Sequence, residues 1–172
     1  MAITDDTTLS MDNTDDPQTD ALDAAHDYHA LNAMLNLYAP DGSIQFDKDK
    51  EAERAYVTGH VAANTVHFDS TRDRLSYLLK NDYYNPAVFD QYDDGFLDSF
   101  YEHVESLGFE FDTFLGAFKF YTSYALKTFD GKKYLEDFPQ RSAAVALELA
   151  AGDEAQATKY ADEIISGRLQ PA

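Results

Sequence analysis

The stretch from Thr113 to Leu126 is apolar nearly all the way round a helix, with Phe114, Leu115, Phe118, Phe120, Tyr121 and Tyr124 leaving no clearly polar side. Such a helix belongs at the centre of a fold, because no orientation at a surface hides all of it. The 172 residues suffice for one domain or a small one with an appendage, and 12 Tyr plus 12 Phe can fill a core without Trp.

The periodicity elsewhere is also helical. Leu22, Tyr28, Leu31, Leu35 and Tyr38 mark one face, with Asp20 as its cap. Pro40-Asp41-Gly42-Ser43 reads as a turn, and Ile44-Gln45-Phe46 alternates like a short strand. Asp47 then opens a helix to Val61 that turns Ala52, Ala55, Tyr56 and Val61 inward, and the pattern breaks near Asn64. Asp69-Ser70-Thr71 caps a helix burying Leu75, Leu78 and Leu79, with Asn81 as a left-handed stop. A short segment begins at Pro86. Asp93 or Asp94 starts a helix whose apolar side is Phe96, Leu97, Phe100 and Val104 and whose stop is Gly108.

Asp130-Gly131 between β-compatible residues signals a two-residue hairpin. Pro139 sits in the first turn of an Ala-rich helix that Gly152 stops, and Asp153 caps a last helix that carries Tyr160, Ile164 and Ile165 and ends at Gly167. Two such helices joined by a tight turn pack as an antiparallel pair.

Charge removes several function classes. Lys plus Arg number 13 against 32 Asp plus Glu, and the formal charge of −19 repels phosphate and anionic lipid at long range. Neither a nucleic acid nor a membrane surface is an expected partner. No apolar run approaches the ~20 residues that span a bilayer, and no basic start precedes one, so a cytoplasmic location is expected. Ten acids and no Lys or Arg fall between Met1 and Asp47, and residues 1–20 read as a disordered acidic tail. Cys is absent, which excludes disulfides, thiolate metal sites and thiol nucleophiles.

The remaining candidate chemistry is thin. His26 and His29 lie one turn apart beside Asp23 and Asp27, a spacing that can hold a divalent metal, but no third ligand is signalled and two solvated histidines are the better reading. Glu102-His103 and Asp162-Glu163 read as solvated helix faces, and so does the basic group Lys119, Lys127, Lys132 and Lys133. Neither a Walker loop, a dinucleotide fingerprint nor a nucleophile elbow can be written onto the eight glycines. The residues alone describe an acidic, mainly α domain with no catalytic, cofactor-binding or metal constellation of its own.

Several continuous stretches add to that reading. They are Tyr28-His-Ala-Leu-Asn32, Ile44-Gln-Phe-Asp-Lys-Asp-Lys-Glu-Ala52, Asn64-Thr-Val66, Leu75-Ser-Tyr-Leu78, the block Thr113 to Lys132, Leu149-Ala-Ala-Gly-Asp153 and Asp162-Glu-Ile-Ile-Ser-Gly-Arg168. Together, over about Leu22 to Ala172, they resemble the N-terminal region of the large, catalytic subunit of class Ib ribonucleoside-diphosphate reductase.

The resemblance implies a helical region of a ten-stranded α/β-barrel reductase, with the barrel itself absent. It implies an N-terminal module over residues 21–100, a reduced relative of the ATP-cone, and an all-α layer over 101–172. The catalytic cysteines fall downstream of Ala172, where family members continue with Thr-Pro-Thr-Phe, so the chain is expected to be a segment that works only with a catalytic remainder. No cofactor is expected on the chain. The family implies a small radical-generating subunit with a dimetal-tyrosyl radical, a glutaredoxin-like reductant, and dNTP or ATP effectors. In some members the reduced cone takes an adenine nucleotide, which points to Asn64, His67 and Phe68 as possible contacts. Here the run is His67-Phe68-Asp69 where the family has aromatics and then His, and an acid beside a phosphate weakens binding, so helix-end packing is the competing reading. The rival function is a non-enzymatic acidic interaction module or an inactive gene fragment. A segment cut from its neighbour should expose an apolar patch.

Overall fold

The structure is a computed structural model that describes residues 39–43 and 45–169. The chain divides into two compact units, Met1–Lys48 and Asp49–Ala172. The acidic tail, the helix expected over Leu22 to Tyr38, and the pair His26 and His29 lie outside the described residues.

The expected turn is present. Gly42 takes φ +82°, which a Cβ would resist, and the Asp41 carboxylate accepts from both the amide and the hydroxyl of Ser43 at 2.9 and 2.7 Å. The strand expected at Ile44-Gln45-Phe46 does not follow. Ile44 is outside the described residues, and Phe46 already begins helix α1 (Phe46–Ala55). Asp47, Asp49 and Glu51 in its opening turns suit the positive helix end, which outweighs a three-residue alternation with nothing to pair with.

Beyond α1 the helix widens into a π-helical stretch, Tyr56–Val61, before ending in the turn at Asn64. The spacing explains it. Tyr56 and Val61 are five residues apart and both buried, which α geometry does not place on one face and a π turn does. Ala55, expected inside, is exposed, and Glu53 is buried instead.

The caps expected at Asp69-Ser70-Thr71 and at Asp93 or Asp94 fall on Ser70 and Asp93, and Asn85 and Thr113 add two that the sequence reading did not name. Ser70 accepts from the Asp73 amide at the start of α2 (Thr71–Lys80), and Asn85 caps the short α3 (Pro86–Phe89). Asp93 caps α4 (Asp94–Ser106), and Thr113 caps α5 (Phe114–Ser123). The left-handed residue after α2 is Asp82 at φ 59°, not Asn81, whose φ is −102°. Asn81 spends its side chain on the Tyr77 carbonyl instead. Asp130-Gly131 does turn the chain, with Gly131 at φ +75° and the Thr128 amide bonded to the Lys133 carbonyl. No strands grow from it among the described residues. Tyr134 makes two isolated bridges, antiparallel to Lys127 and parallel to Thr65.

Helix α6 (Phe138–Ala150) opens with a reciprocal capping box between Asp137 and Gln140, and Ala151 and Gly152 then turn left-handed. Asp153 caps α7 (Glu154–Ile165). The two helices meet through Ala143, Ala146, Leu147, Ala157, Ala161 and Ile164, all buried, where small residues let the backbones approach closely. Leu78, Phe100, Tyr101, Val104 and Leu135 continue this core toward α2 and α4.

The central expectation for α5 needs correction. Phe114, Ala117, Phe120 and Tyr121 are buried against the π-helical stretch and its neighbours, yet Leu115 is 70% exposed and Tyr124 just beyond the helix is 62% exposed. The helix is wrapped on one side only, because the described residues supply nothing for the other.

Candidate functional site

Two concave surfaces stand out among the described residues. The first is a cavity of about 370 Å³ beneath the segment that joins the π-helical stretch to α2. Val66 is fixed by its amide bond to the Tyr134 carbonyl, and the Tyr134 amide returns a bond to the Asn64 carbonyl. His67, Phe68 and Asp69 then pass along the cavity wall to the N-terminus of α2. Of the three residues singled out in the sequence, His67 and Phe68 line this cavity, and Phe68 also packs its ring on Tyr77 with centroids 5.3 Å apart. Asn64 does not line it. Its side-chain amide donates to the His60 carbonyl at 2.9 Å, closing the end of the helix.

The cavity's inner wall is a set of charged groups that the sequence did not flag. Arg74 is 3% exposed and lies over the Tyr101 ring, 5.1 Å from its centroid, and none of its guanidinium nitrogens has a hydrogen-bond partner of normal geometry. Glu136, 1% exposed, accepts from the Tyr84 hydroxyl and from the Leu126 amide, with Arg141 3.6 Å away. Burial pushes the Glu136 and Asp137 carboxyls above their ordinary values, although the hydrogen bonds each accepts pull the other way. The Tyr101 phenol is pushed up to about 12 by burial. Arg74 and Glu136 lie 62 positions apart along the chain, so no local pattern announces them. The faint available signal was Arg74, one position before Leu75 and four before Leu78 on the inward side of α2.

The second surface is a larger, mostly apolar groove of about 640 Å³ between α5, the start of α6 and the end of α7. Thr113, Gly116, Phe120 and Tyr124 fall at helical spacing along its α5 wall. Phe109, Phe111 and Phe138, whose rings lie 4.2 to 5.6 Å apart in pairs, form one end. Lys119 and Arg141 are its basic members.

Several of the other candidate groups are committed to the fold. Lys133 donates to the Ala63 carbonyl and Lys127 to the Thr122 carbonyl, each at the end of a helical stretch where a cation suits the exposed carbonyls. His103 is not simply solvated: its Nε2 lies 2.8 Å from an Asp162 oxygen, tying α4 to α7. Among the described residues, no three His, Cys, Asp or Glu side chains could hold a metal ion, and no helix is long and apolar enough to cross a membrane.

Comparison with known proteins matches the chain to ribonucleotide reductase sequences. The ribonucleotide reductase N-terminal model matches residues 28–109, and the ribonucleotide reductase all-alpha domain model matches residues 110–172. The chain is 40% identical over 145 residues to ribonucleoside-diphosphate reductase subunit alpha of Mycoplasma pneumoniae, a match covering 84% of this chain and 19% of that protein. It is 39% identical over 132 residues to the Bacillus subtilis subunit alpha, covering 77% and 19%. The NrdEB subunit alpha of Bacillus phage SPbeta is 41% identical over 132 residues, covering 77% and 12%. The chain therefore spans about a fifth or less of the length of the curated relatives it matches. It belongs to the ribonucleotide reductase family, as the N-terminal region of a ribonucleoside-diphosphate reductase large subunit.

Proposed function

We propose that this chain serves the reduction of ribonucleoside diphosphates to deoxyribonucleotides for DNA synthesis, and does so only together with the catalytic barrel of a class Ib large subunit. The observation that carries this reading is the unbroken run of two reductase family models from residue 28 to 172 in a chain that has no Cys. Radical sulfur chemistry needs thiols, so these residues cannot perform it themselves. They supply a helical coat. The NrdEB name of the phage relative supports the class.

On the same reading the working assembly adds a small subunit with a dimetal-tyrosyl radical and a glutaredoxin-like reductant, in the cytoplasm. The test is a reduction assay on the chain expressed with the polypeptide that carries the barrel. Deoxyribonucleotide formation by the assembly and none by the chain alone supports the reading. Reduction by the purified chain, or no reduction by an assembly that includes the radical subunit, overturns it.

A regulatory adenine nucleotide at His67 and Phe68 is the second reading, favoured by the cavity those residues line. Phe68 offers a ring face to a base, and Arg74 offers donors, while Asp69 and Glu136 oppose phosphate. Asn64 would act by holding the helix end rather than by touching the ligand. Calorimetric titration with ATP and dATP checks this: binding that Phe68→Ala abolishes supports it, and no binding by the assembled subunit refutes it.

A further inference from the structure

The cavity beside His67 and Phe68 has a charge balance that decides what class of ligand it can hold. Among the described residues its lining contains a single Lys or Arg, Arg74, against the carboxylates of Asp69, Glu105, Glu136 and Asp137. Arg74 lies over the Tyr101 ring with all three guanidinium nitrogens sealed from solvent. A phosphate at the cavity mouth therefore gains no charge-assisted bond from it, because a guanidinium grips phosphate by direct N–H donation. Asp69 and Glu105 are exposed, and the ion pairs of the described residues leave both of them out. Asp137 is raised first by burial and further by the Glu105 carboxylate, so these acids face one another across the cavity with no cation between them.

Helix starts are the other usual holders of phosphate, and two of them border this cavity. Both are already served. At α2 the Ser70 hydroxyl oxygen accepts from the Asp73 amide at 3.1 Å, with the Asp73 carboxylate 2.6 Å from that oxygen. At α6 the Asp137 carboxylate accepts from the Gln140 amide at 2.9 Å. A second anion brought to either end meets a carboxylate in place.

Carboxylates that repel phosphate accept hydrogen bonds from hydroxyls, as acidic residues do from ribose in dinucleotide sites. Behind the acidic mouth, Val66, Phe68 and Leu135 give the wall an apolar part, and about 370 Å³ is within the range of small-molecule pockets. We propose that this cavity takes an uncharged nucleoside and discriminates against its phosphorylated forms: the base lies against Phe68, and the sugar hydroxyls donate to Asp69 and Glu105. The proposal rests on the second reading above for the base, and removes the phosphate from the ligand.

Calorimetric titration of the assembled subunit with adenosine, AMP and ATP tests it, each repeated on Phe68→Ala so that only binding removed by that substitution is counted. Adenosine is expected to bind about tenfold or more tighter than AMP or ATP. Asp69→Lys, at an exposed position, should leave the melting temperature unchanged and raise the affinity for AMP about tenfold, while weakening adenosine. Asp69→Asn provides a milder variant of the same sign, with AMP strengthened about threefold. AMP or ATP binding as tightly as adenosine overturns the inference and leaves the nucleotide reading standing. Unchanged AMP affinity in both Asp69 variants also overturns it, as does 2′,3′-dideoxyadenosine binding as tightly as adenosine. Should none of the ligands show binding that depends on Phe68, the inference and the second reading fall together.

Discussion

Helices α6 and α7 complete each other, and α5 does not. In the first region small buried side chains from two adjacent helices close a seam, with Ala143, Ala146, Ala157 and Ala161 at no measurable exposure. In the second, a more hydrophobic helix buries Phe114, Ala117, Phe120 and Tyr121 and leaves Leu115 and Tyr124 in water. Hydrophobicity therefore does not rank the two by burial. What differs is whether a partner surface lies nearby in the chain, and for the open side of α5 the described residues supply none.

The sharpest way to break this contrast is to place the same charge in both regions. Ala146→Glu puts an unpaired carboxylate in the seam and should remove about 4 kcal/mol or more, enough to abolish a cooperative melt in a marginally stable chain. Leu147→Ala, a cavity in the same seam, should cost about 3 kcal/mol by denaturant unfolding. Asp137→Ala removes the capping box of α6 and should cost about 1 kcal/mol, with Asp137→Asn recovering most of it.

A pH series probes the charges beside the first cavity. The folded state holds protons on Glu136 and Asp137 more tightly than the unfolded chain does, because burial raises both. Their contribution is full below the ordinary carboxylate range and is lost as pH rises through the raised values. Glu136→Gln should flatten that part of the stability profile, and an unchanged slope would show that Glu136 does not carry it. The smallest effect belongs to α5: Leu115→Glu should change stability by less than about 0.5 kcal/mol while lowering the binding of an apolar dye. A loss comparable to that of Ala146→Glu would erase the contrast.

The same division separates what could be read from the chain from what could not. Ser70, Asp93 and Asp153 each cap the helix that follows them, because a cap is a matter of three or four neighbouring residues. Gly108, Gly152 and Gly167 stop helices for the same local reason. The π-helical stretch escaped because its cause, the joint burial of Tyr56 and Val61, is a tertiary one. His103 with Asp162, and Arg74 with Tyr101, are pairs distant in the chain whose members each look like ordinary solvated or core residues in isolation. Of the nucleotide-contact candidates, His67 and Phe68 turn out to line the cavity, and the Arg74 and Glu136 that set its charge were not singled out in the sequence. The resemblance to the reductase came from matching blocks of residues, and no spacing or composition would have replaced it.

Hydrogen exchange on α5 tests the central claim most directly, comparing the chain by itself with the chain joined to its catalytic remainder. The account predicts that amides of Leu115 to Tyr124 exchange at least tenfold faster than those of α6 and α7 in the lone chain, and that assembly slows them by a similar factor. Equal protection of the two regions without the remainder, or no slowing on assembly, would contradict it.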